Sequence, residues 1–446
     1  MMRRFRVVSE EPEMRETPPQ QTMSSRVQIR QLFAACIGSV LEFYDFVVYA
    51  FLATTIAARF FPSANEVASL LASFAAFGVG FLARPVGGLV IGRIGDIKGR
   101  KVALLVSIFG MALGTVGIGL LPSFESIGTL APILLVILRL LQGLAAGGEW
   151  GGATAFVTES APNGRRGWYG SICQASIASS ILLGSLVVAL VTAIFSPQEM
   201  QAWAWRVPFL LGGILLPIGF YLRRNMAETP VFVSAHTQAA ERDFGPSQHP
   251  LGTQFGMLSK CFGLTAIWTV SFYVLITYMP TFVTKHVGLS SSQALWSNSS
   301  ALVVLVIVTP LFGLLSDSIG RRPLLLGAWV GLIVLPYPLF SLILSHPSFT
   351  TVVAVQIVFN LFIAAFSGAA PAALAELFPT RSRTTLMSSS YSLSTAIFGG
   401  FAPFVATWLI DPTGSAVSPV YYIVIAAIVS APVIWGLRET AHEGLR

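Results

Sequence analysis

Ionisable residues stand inside long apolar stretches of this sequence, where a charge is expensive. Glu42 and Asp45 lie in the stretch Leu41–Phe46, and with Tyr49 they share one helix face because they are spaced i, i+3 and i+7. A charged side chain at the centre of a bilayer costs about 2.5–3.5 kcal/mol on insertion scales. The two carboxylates therefore either handle a proton or substrate in a cavity, or form a structural ion pair with a neighbouring helix.

Arg84 is a cation in the second apolar stretch. It stands among Gly80, Gly88 and Gly92, and glycines at four-residue spacing let another helix approach closely. A guanidinium pairs bidentately with a carboxylate. Arg84 is thus either a clamp for a substrate carboxylate, or a residue that reaches the membrane surface or locks helices together.

The fourth apolar stretch carries a polar stripe. Arg139, Gln142 and Glu149 fall within an arc of about 100° on a helix. An adjoining face consists of small residues at four-residue spacing, namely Gly143, Gly147 and Gly151. We expect this helix to pack by its glycines and to present the stripe to a cavity; the alternative is a closed structural network.

A motif of charge and glycine occurs twice and divides the chain into similar halves. Gly92–Lys101 and Gly313–Arg322 keep glycine, aspartate, glycine and arginine in register, at Gly92, Asp96, Gly99 and Arg100 in the first copy and at Gly313, Asp317, Gly320 and Arg321 in the second. Glu159 and Glu376 are also equivalent, since each precedes a proline and a pair of arginines. The motif is either a solvated basic turn or a salt bridge between the halves that holds one conformation closed.

Composition places these residues in a membrane protein. Only 11% of the 446 residues are charged and 54% are hydrophobic, whereas soluble domains are roughly 25% charged. About 20 apolar residues span a bilayer as a helix. The sequence therefore predicts an all-α integral membrane protein with twelve transmembrane helices in two six-helix halves, near 32–58, 68–92, 102–121, 131–158, 169–195, 206–222, 259–283, 295–315, 323–345, 350–375, 384–409 and 420–437.

The basic residues set the orientation. Of the basic residues in the predicted loops, only Arg59, Arg206 and Lys285 fall on one side of the membrane. The other side carries the excess of basic residues and both termini, which predicts that it is the cytoplasmic side. The net charge of +7 is thus a topology signal rather than a sign of nucleic-acid binding. Arg206, at the start of the sixth span, either anchors at the outer interface or meets an entering anion. The predicted regions are a cytoplasmic tail at 1–31, a bundle at 32–222, a cytoplasmic linker at 223–258, a second bundle at 259–437 and a tail at 438–446.

Two six-span halves with this motif in each resemble the major facilitator superfamily, whose fold the resemblance implies from residue 32 onward. Leu41–Phe46, Leu82–Gly88 and Arg139–Gly152 are similar to the metabolite:proton symporter branch, which implies uptake of citrate, 2-oxoglutarate, shikimate, proline or betaine. Ala396–Pro403 is most similar to the citrate and 2-oxoglutarate members. Ser39 departs from the asparagine common in the branch, and the long coiled-coil tail of some betaine carriers is not found, which lowers that substrate class.

The residues and the resemblance together predict a proton-coupled carrier that works by alternating access in the inner membrane. Three embedded carboxylates face two embedded arginines, so one acid lacks a cation, and in a low-dielectric cavity such an acid takes up a proton near neutral pH. Glu42 or Asp45, or else Glu149, carries the proton. The expected substrate residues are Arg84 and Arg139, assisted by Gln142, Tyr44 and Arg206.

The expected partners are a small organic anion, a proton and the lipid bilayer, with no nucleic acid and a monomeric chain. A di- or tricarboxylate is the favoured substrate, and a zwitterion or monocarboxylate such as proline, betaine or shikimate is the alternative. A proton-antiport drug exporter is an alternative of another class. We expect no enzyme activity, cofactor or metal, because the sequence has no Gly-x-x-x-x-Gly-Lys-Ser/Thr loop and no ligand cluster.

Overall fold

The computed structural model describes residues 43–98, 100–147, 149–214, 251–379 and 383–443, together with residues 40 and 445. Within these ranges the chain is helical and contains no strand. Several predicted features lie outside the described residues: the tail at 1–31, Glu42, Gly99, the side chains of Asp96 and Arg100, and most of the predicted linker.

The N-terminal half consists of nine labelled helices. They are α1 (Phe43–Phe51), α2 (Ala53–Phe60), α3 (Glu66–Leu82), α4 (Arg84–Lys98), α5 (Arg100–Leu120), α6 (Leu130–Ala145), α7 (Glu149–Glu159), α8 (Arg166–Ile194) and α9 (206–214). Two short helices at Phe124–Ile127 and Pro197–Glu199 and a π-helical segment at Met200–Ala204 connect them.

The C-terminal half continues with eight labelled helices. They are α10 (Leu251–Phe272), α11 (Ser291–Ile319), α12 (Arg321–Val334), α13 (Pro336–Ser345), α14 (Phe349–Leu377), α15 (Arg383–Ser394), α16 (Ala402–Thr413) and α17 (Pro419–Trp435). A short helix at Met279–Phe282 and π-helical segments at Tyr273–Thr277, Val283–Val287 and Thr395–Gly399 lie between them.

Seven helical stretches among the described residues are long and apolar enough to cross a membrane, and nine are if each of two bent pairs counts as one span. The bent pairs are α1 with α2, at 69°, and α12 with α13, at 42°. Shorter apolar helices at Leu105–Leu120 and Pro419–Trp435 occupy the predicted third and last spans, and α9 begins the predicted sixth. Every predicted span is therefore represented by described helix.

Local sequence explains where several of these helices begin and end. Asn65 caps α3 because its side chain accepts hydrogen bonds from the N–H groups of Val67 and Ala68. Ser290 and Gln293 form a capping box at the start of α11. Pro336 separates α12 from α13, since proline has no N–H to continue the hydrogen-bond ladder.

Each copy of the repeated motif lies where one helix ends and the next begins. α4 ends at Lys98 and α5 begins at Arg100, while α11 ends at Ile319 and α12 begins at Arg321. Gly320 separates α11 from α12 with φ of 104°, in the left-handed region that favours glycine. Each copy of the motif therefore lies between two helices that follow each other along the chain.

Glycine packing brings the two buried arginines together. A Cβ added at Gly143 of α6 would lie 1.8 Å from the carbonyl oxygen of Gly80 in α3, and one at Gly147 would lie 2.2 Å from the N atom of Gly88. Gly92, at the same spacing, would have nothing within 4 Å. The spans that carry Arg84 and Arg139 thus touch backbone to backbone at these glycines.

The two halves contact each other through several helix pairs. α8 packs on α11 and α14, α7 packs on α15, and α3 packs on α16. At the centre of the α8–α11 contact, the Ser299 hydroxyl donates a hydrogen bond of 2.8 Å to Ser185 Oγ. Contacts between the halves also close both ends of the bundle.

Candidate functional site

A buried chain of polar side chains crosses the N-terminal half. Arg139 and Gln142, neither of them exposed, are one turn apart on α6, and Arg139 Nη1 donates to Gln142 Oε1 at 2.9 Å. Gln142 Nε2 donates to Thr115 Oγ1 at 2.8 Å. The Thr115 hydroxyl donates to the carbonyl oxygen of Met111 at 3.0 Å, so Thr115 Oγ1 can meet the neighbouring Asp45 carboxyl group only as an acceptor, when Asp45 is protonated. The Asp45 carboxyl group also interacts electrostatically with Arg139. A carboxyl group and a guanidinium are thereby linked through two neutral groups.

Asp45 lies on α1 among the first, third and sixth spans. A Cβ added at Gly212 would lie 3.1 Å from both Asp45 Oδ1 and Thr115 Cγ2, so the glycine leaves room for both side chains. Asp45 is only 5% exposed and forms no salt bridge with any described residue. The neutral form of a carboxyl group tolerates such burial far better than the ionised form does, so this group is suited to taking up and releasing a proton.

Aromatic rings surround both arginines. The guanidinium carbon of Arg84 lies 4.3 Å from the ring centre of Phe46 and 4.6 Å from that of Phe81. The guanidinium carbon of Arg139 lies 4.7 Å from the Phe46 ring centre and 4.5 Å from that of Tyr49. Phe46 therefore contacts both cations, and cation–π attraction offsets part of the cost of burying them.

Three of the other predicted site residues are placed elsewhere. The Tyr44 hydroxyl donates to the carbonyl oxygen of Pro208 at 2.8 Å, and Arg206 Nη2 donates to that of Leu121 at 3.0 Å. Each thus hydrogen-bonds to backbone rather than facing Arg84 or Arg139. Glu149 begins α7, whereas α6 ends at Ala145, and both helices belong to one apolar stretch at Leu130–Glu159.

A cavity lies between the halves, beside the two arginines. It is narrow, with a volume of about 20 Å³, and is lined by Phe43, Gln174 and Ile177 of the N-terminal half and by Trp268, Thr269, Phe272, Tyr273 and Tyr391 of the C-terminal half. Arg84 reaches its edge, because the guanidinium carbon lies 5.6 Å from the centre of the Phe43 ring. Arg139 contacts Phe77, whose ring centre is 6.2 Å from that of Tyr273.

The end of the bundle that carries Asp317, called the charged end here, is closed by ion pairs between the halves. Arg166 Nη1 lies 2.7 Å from Glu376 Oε1, and Arg383 Nη1 lies 2.6 Å from Glu159 Oε1. Each glutamate therefore pairs with an arginine of the opposite half. Except for Glu159, which is 36% exposed, these side chains are at most 6% exposed.

The second copy of the motif joins this network. Arg321 pairs with Asp317 at 2.8 Å and with Glu376 at 3.3 Å, both within its own half. Asp317 crosses to the other half by accepting hydrogen bonds of 2.8 Å from the backbone N–H groups of Gly167 and Trp168. The motif thus contacts the opposite half at the start of α8, where N–H groups favour an anion.

The segment after the last span also contacts the charged end. Glu439 accepts hydrogen bonds from the backbone N–H groups of Arg321 and Arg322, at 2.9 and 3.0 Å. Burial acts to raise the pKa of Glu439, but these bonds and those from the N–H groups of Thr440 and Ala441 lower it below its ordinary value. Arg166 donates to the carbonyl oxygen of Glu443, so this segment bridges the two halves.

The opposite end of the bundle has a weaker connection. Lys285 Nζ lies 2.8 Å from Glu66 Oε2, across the halves, with side chains 41% and 86% exposed. Exposed pairs of this kind contribute little because water and salt screen them, so the charged end is the more strongly held of the two.

Sequence reasoning did not identify the residues that line the cavity or the partners of the two glutamates. The aromatic lining residues resemble ordinary core residues in a sequence so rich in apolar side chains. Arg166 and Arg383 had a usable signal, because each follows a repeated glutamate and proline. Among the described residues, no group of three or more His, Cys, Asp or Glu side chains could hold a metal ion.

Two family models match the chain. Residues 32–245 match the model described as "Sugar (and other) transporter" and residues 261–445 match that of the "Major Facilitator Superfamily". The chain is 34% identical to a putative proline/betaine transporter of Staphylococcus aureus (strain COL), over 94% of this chain and 90% of the relative. It is 37% identical to a citrate-proton symporter of Klebsiella pneumoniae, over 88% of this chain and 87% of the relative.

Solved structures share the same fold. The proton:xylose symporter XylE bound to 6-bromo-6-deoxy-D-glucose is similar with a TM-score of 0.77 at 17% identity, over 95% of this chain and 98% of that one. A partially occluded, inward-open conformation of XylE from E. coli gives a TM-score of 0.75 at 18% identity. At such identities the likeness is evidence of the fold alone, and it confirms the predicted two-half architecture.

Proposed function

The chain belongs to the major facilitator superfamily of membrane transporters, and from that premise we propose that it is a proton-coupled symporter of a small metabolite bearing a carboxylate. The observation that carries the proposal is the buried link from Asp45 through Thr115 and Gln142 to Arg139. It joins a carboxyl group suited to proton transfer to a cation suited to an anion, next to the interface between the halves.

Asp45 is the proposed proton carrier, with Glu42 and Glu149 as the other embedded carboxylates. Protonation of Asp45 removes a negative charge close to Arg139 and leaves the guanidinium available to attract a substrate carboxylate. Release of the proton restores the attraction between Asp45 and Arg139 and weakens the hold on substrate. Coupling follows because the proton and the substrate favour the same state.

The charged end is the proposed cytoplasmic gate. The excess of basic residues on that side of the sequence supports a cytoplasmic position for it and for both termini, in the inner membrane. The proposed gate combines Glu159, Glu376, Asp317, Gly320 and Arg321 with the first copy of the motif at Gly92, Asp96, Gly99 and Arg100. Separation of the halves there would break both reciprocal ion pairs and release substrate inward.

Arg84 and Arg139 are the proposed carboxylate-binding residues. The relatives are named for citrate and for proline or betaine, and all of these substrates carry a carboxylate. The resemblance therefore supports recognition of a carboxylate rather than of one particular substrate. Gln142 positions Arg139 in this proposal. Tyr44 and Arg206 hold α9 in place instead. Tyr44 donates to the carbonyl oxygen of Pro208 in α9, and Arg206 of α9 donates to that of Leu121.

Transport by Asp45→Asn tests the proposal. In liposomes with an inward proton gradient, we expect the variant to lose uphill accumulation while it still exchanges substrate across the membrane. Asparagine stays neutral, so the variant binds substrate but neither takes up nor releases a proton. Asp411→Asn is the matched control, because Asp411 is exposed near the end of α16. Uphill accumulation by Asp45→Asn would contradict the role of Asp45.

The same preparation separates uptake from export. Substrate that leaves the cytoplasmic side against its gradient, measured in inverted vesicles, would support a proton-antiport exporter instead. We also propose that the chain is a monomer. It would consist of two bundles, at 32–222 and 259–437, joined by a linker at 223–258. Light scattering of the purified protein tests the oligomeric state.

A further inference from the structure

Arg139 carries a positive charge close to Asp45, yet the two residues are not in contact as an ion pair. The carboxyl group and the guanidinium interact electrostatically, but among the described side chains no salt bridge joins them. Asp45 is 5% exposed and Arg139 is not exposed at all, so water screens their attraction little. An acid in direct contact with an arginine is held in its ionised form. The structure must therefore keep the two groups apart if Asp45 is to take up a proton.

The guanidinium of Arg139 is enclosed by three aromatic rings. Its central carbon lies 4.5 Å from the ring centre of Tyr49, 4.7 Å from that of Phe46 and 5.1 Å from that of Phe77. These three side chains are at most 1% exposed. The face of an aromatic ring attracts a cation, and more strongly where water is excluded. The rings therefore stabilise the guanidinium where it lies.

Hydrogen bonds and close packing hold the guanidinium against α3. Arg139 Nη2 donates to the carbonyl oxygen of Phe77 at 3.3 Å, and Nη1 donates to Gln142 Oε1 at 2.9 Å. Gly80 leaves room for this arrangement, because an added Cβ would lie 3.4 Å from Arg139 Nη2 and 3.5 Å from the guanidinium carbon. The guanidinium is thus bound to α3 and to its own helix rather than to Asp45 of α1.

Phe46 is the ring that connects the acid with the enclosed cation. It follows Asp45 directly on α1, so a shift of α1 would displace the acid and the ring together. Its ring centre lies 5.0 Å from that of Phe81, which in turn lies 5.1 Å from that of Phe77. Phe46 therefore belongs to a row of rings that reaches from α1 to α3 beside Arg139.

The other titratable neighbours of Asp45 and Arg139 come from several helices. They are Tyr44 and Tyr49 of α1, Arg84 of α4 and Tyr273 of the C-terminal half. Tyrosine side chains are uncharged near neutral pH. Arg84 is the second cation, and its guanidinium carbon lies 4.3 Å from the centre of the Phe46 ring. Two cations thus share one ring, and Arg139 is the one that acts on Asp45.

We propose that Phe46 is a positioning residue for proton coupling, which with Tyr49 and Phe77 holds the Arg139 guanidinium short of a salt bridge with Asp45. This role rests on the proposed transport function and deepens it. The acid lies near a cation without being paired with it, so it remains able to take up a proton. Without the ring, the guanidinium would move onto the carboxylate, and the resulting ion pair would oppose protonation.

Infrared titration of Asp45 in the full chain tests the proposal without relying on transport. The signal is the carbonyl stretch of the protonated carboxyl group, identified as the band that Asp45→Asn removes. We expect Phe46→Leu to move the midpoint of this titration to lower pH by about one unit, as the loss of a cation–π contact in a desolvated site predicts. An unchanged midpoint in Phe46→Leu would overturn the proposal.

Two further variants separate positioning from packing. Trifluorophenylalanine at position 46 keeps the shape of the ring but withdraws electron density from its face, so it should also move the midpoint to lower pH. Phe60→Leu removes an equally buried ring that packs edge-on against Trp205, and it should leave the midpoint unchanged. A midpoint that the fluorinated ring does not move, or that Phe60→Leu moves as far as Phe46→Leu does, would overturn the proposal.

Failure of this proposal differs from failure of the proposed function. Uphill uptake that depends on Asp45, together with an unshifted midpoint in Phe46→Leu, would overturn the role of Phe46 and leave symport standing. A shifted midpoint in a protein that no proton gradient can drive would refute symport and leave the role of Phe46 standing.

Discussion

Glu376 is the point at which the charged end is most open to test. It accepts a charged hydrogen bond from Arg166 of the opposite half and interacts with Arg321 of its own half. Its side chain is 3% exposed, so water screens these interactions little. Glu376→Gln should therefore shift the molecule away from the state in which the charged end is closed.

The size of the shift follows from which contacts change on opening. The contacts of Glu376 with Arg321 and with the Thr440 hydroxyl lie within one half and persist when the halves separate. Of its described partners, Arg166 alone therefore distinguishes the two states. A hydrogen bond to a charged group contributes about 1.5–3 kcal/mol. Taking about 2 kcal/mol, the closed population relative to the open one should fall about 30-fold.

Distances between spin labels measure this population. Asn163 and Ser318 are exposed positions at the charged end, one in each half, and labels there should show a longer distance in Glu376→Gln. Glu66→Gln is the matched control, because its ion pair with Lys285 also crosses the halves but is largely exposed. It should change the distances far less.

A double-mutant cycle decides whether the effect belongs to the Arg166 pair. Arg166→Met should shift the population as well, and the double variant should shift it by less than the sum of the two single effects, because they remove one shared interaction. Additive effects, or an unchanged distance distribution in Glu376→Gln, would refute the view that this pair closes the charged end.

Three further predictions concern packing, pH and the buried polar link. Gly143→Ala should reduce the amount of folded protein, because the added Cβ would lie 1.8 Å from the Gly80 carbonyl oxygen. Gly152→Ala is the control and should not, because its Cβ would have nothing within 4 Å. Size-exclusion chromatography and thermal melting of the two variants compare them. The lowered pKa of Glu439 means that its carboxylate stabilises the attached segment above the unfolded value of about 4.3, and that this contribution is lost as the pH falls through the folded value. A spin label after Glu439 should gain mobility only in acid, and Glu439→Gln should gain it at neutral pH; a label whose mobility is independent of pH would contradict this. Thr115→Val should shift the pH dependence of uptake while keeping the side-chain volume, since it removes the group between Asp45 and Gln142, and an unchanged pH profile would count against the link.

The sequence by itself determined the membrane class and the two-half repeat, and it predicted the positions of the spans. These follow from local properties, because about 20 apolar residues are needed to cross a bilayer and a repeated motif such as Gly313–Arg322 is visible in the linear order. The embedded Asp45, Arg84 and Arg139 were also predictable, since a charged residue in an apolar stretch is conspicuous. Each of the three is buried in the structure.

Only the tertiary structure decided which of these residues meet. Arg166 and Glu376 are 210 positions apart, and the sequence could not show that each half supplies an arginine to a glutamate of the other. Asp45 reaches Arg139 through Thr115, a residue with no distinctive sequence signal. Trp268 and Tyr391 belong to separate spans and line one cavity only when those spans pack, because the lining of a cavity depends on helix rotation and crossing, which apolar composition does not specify.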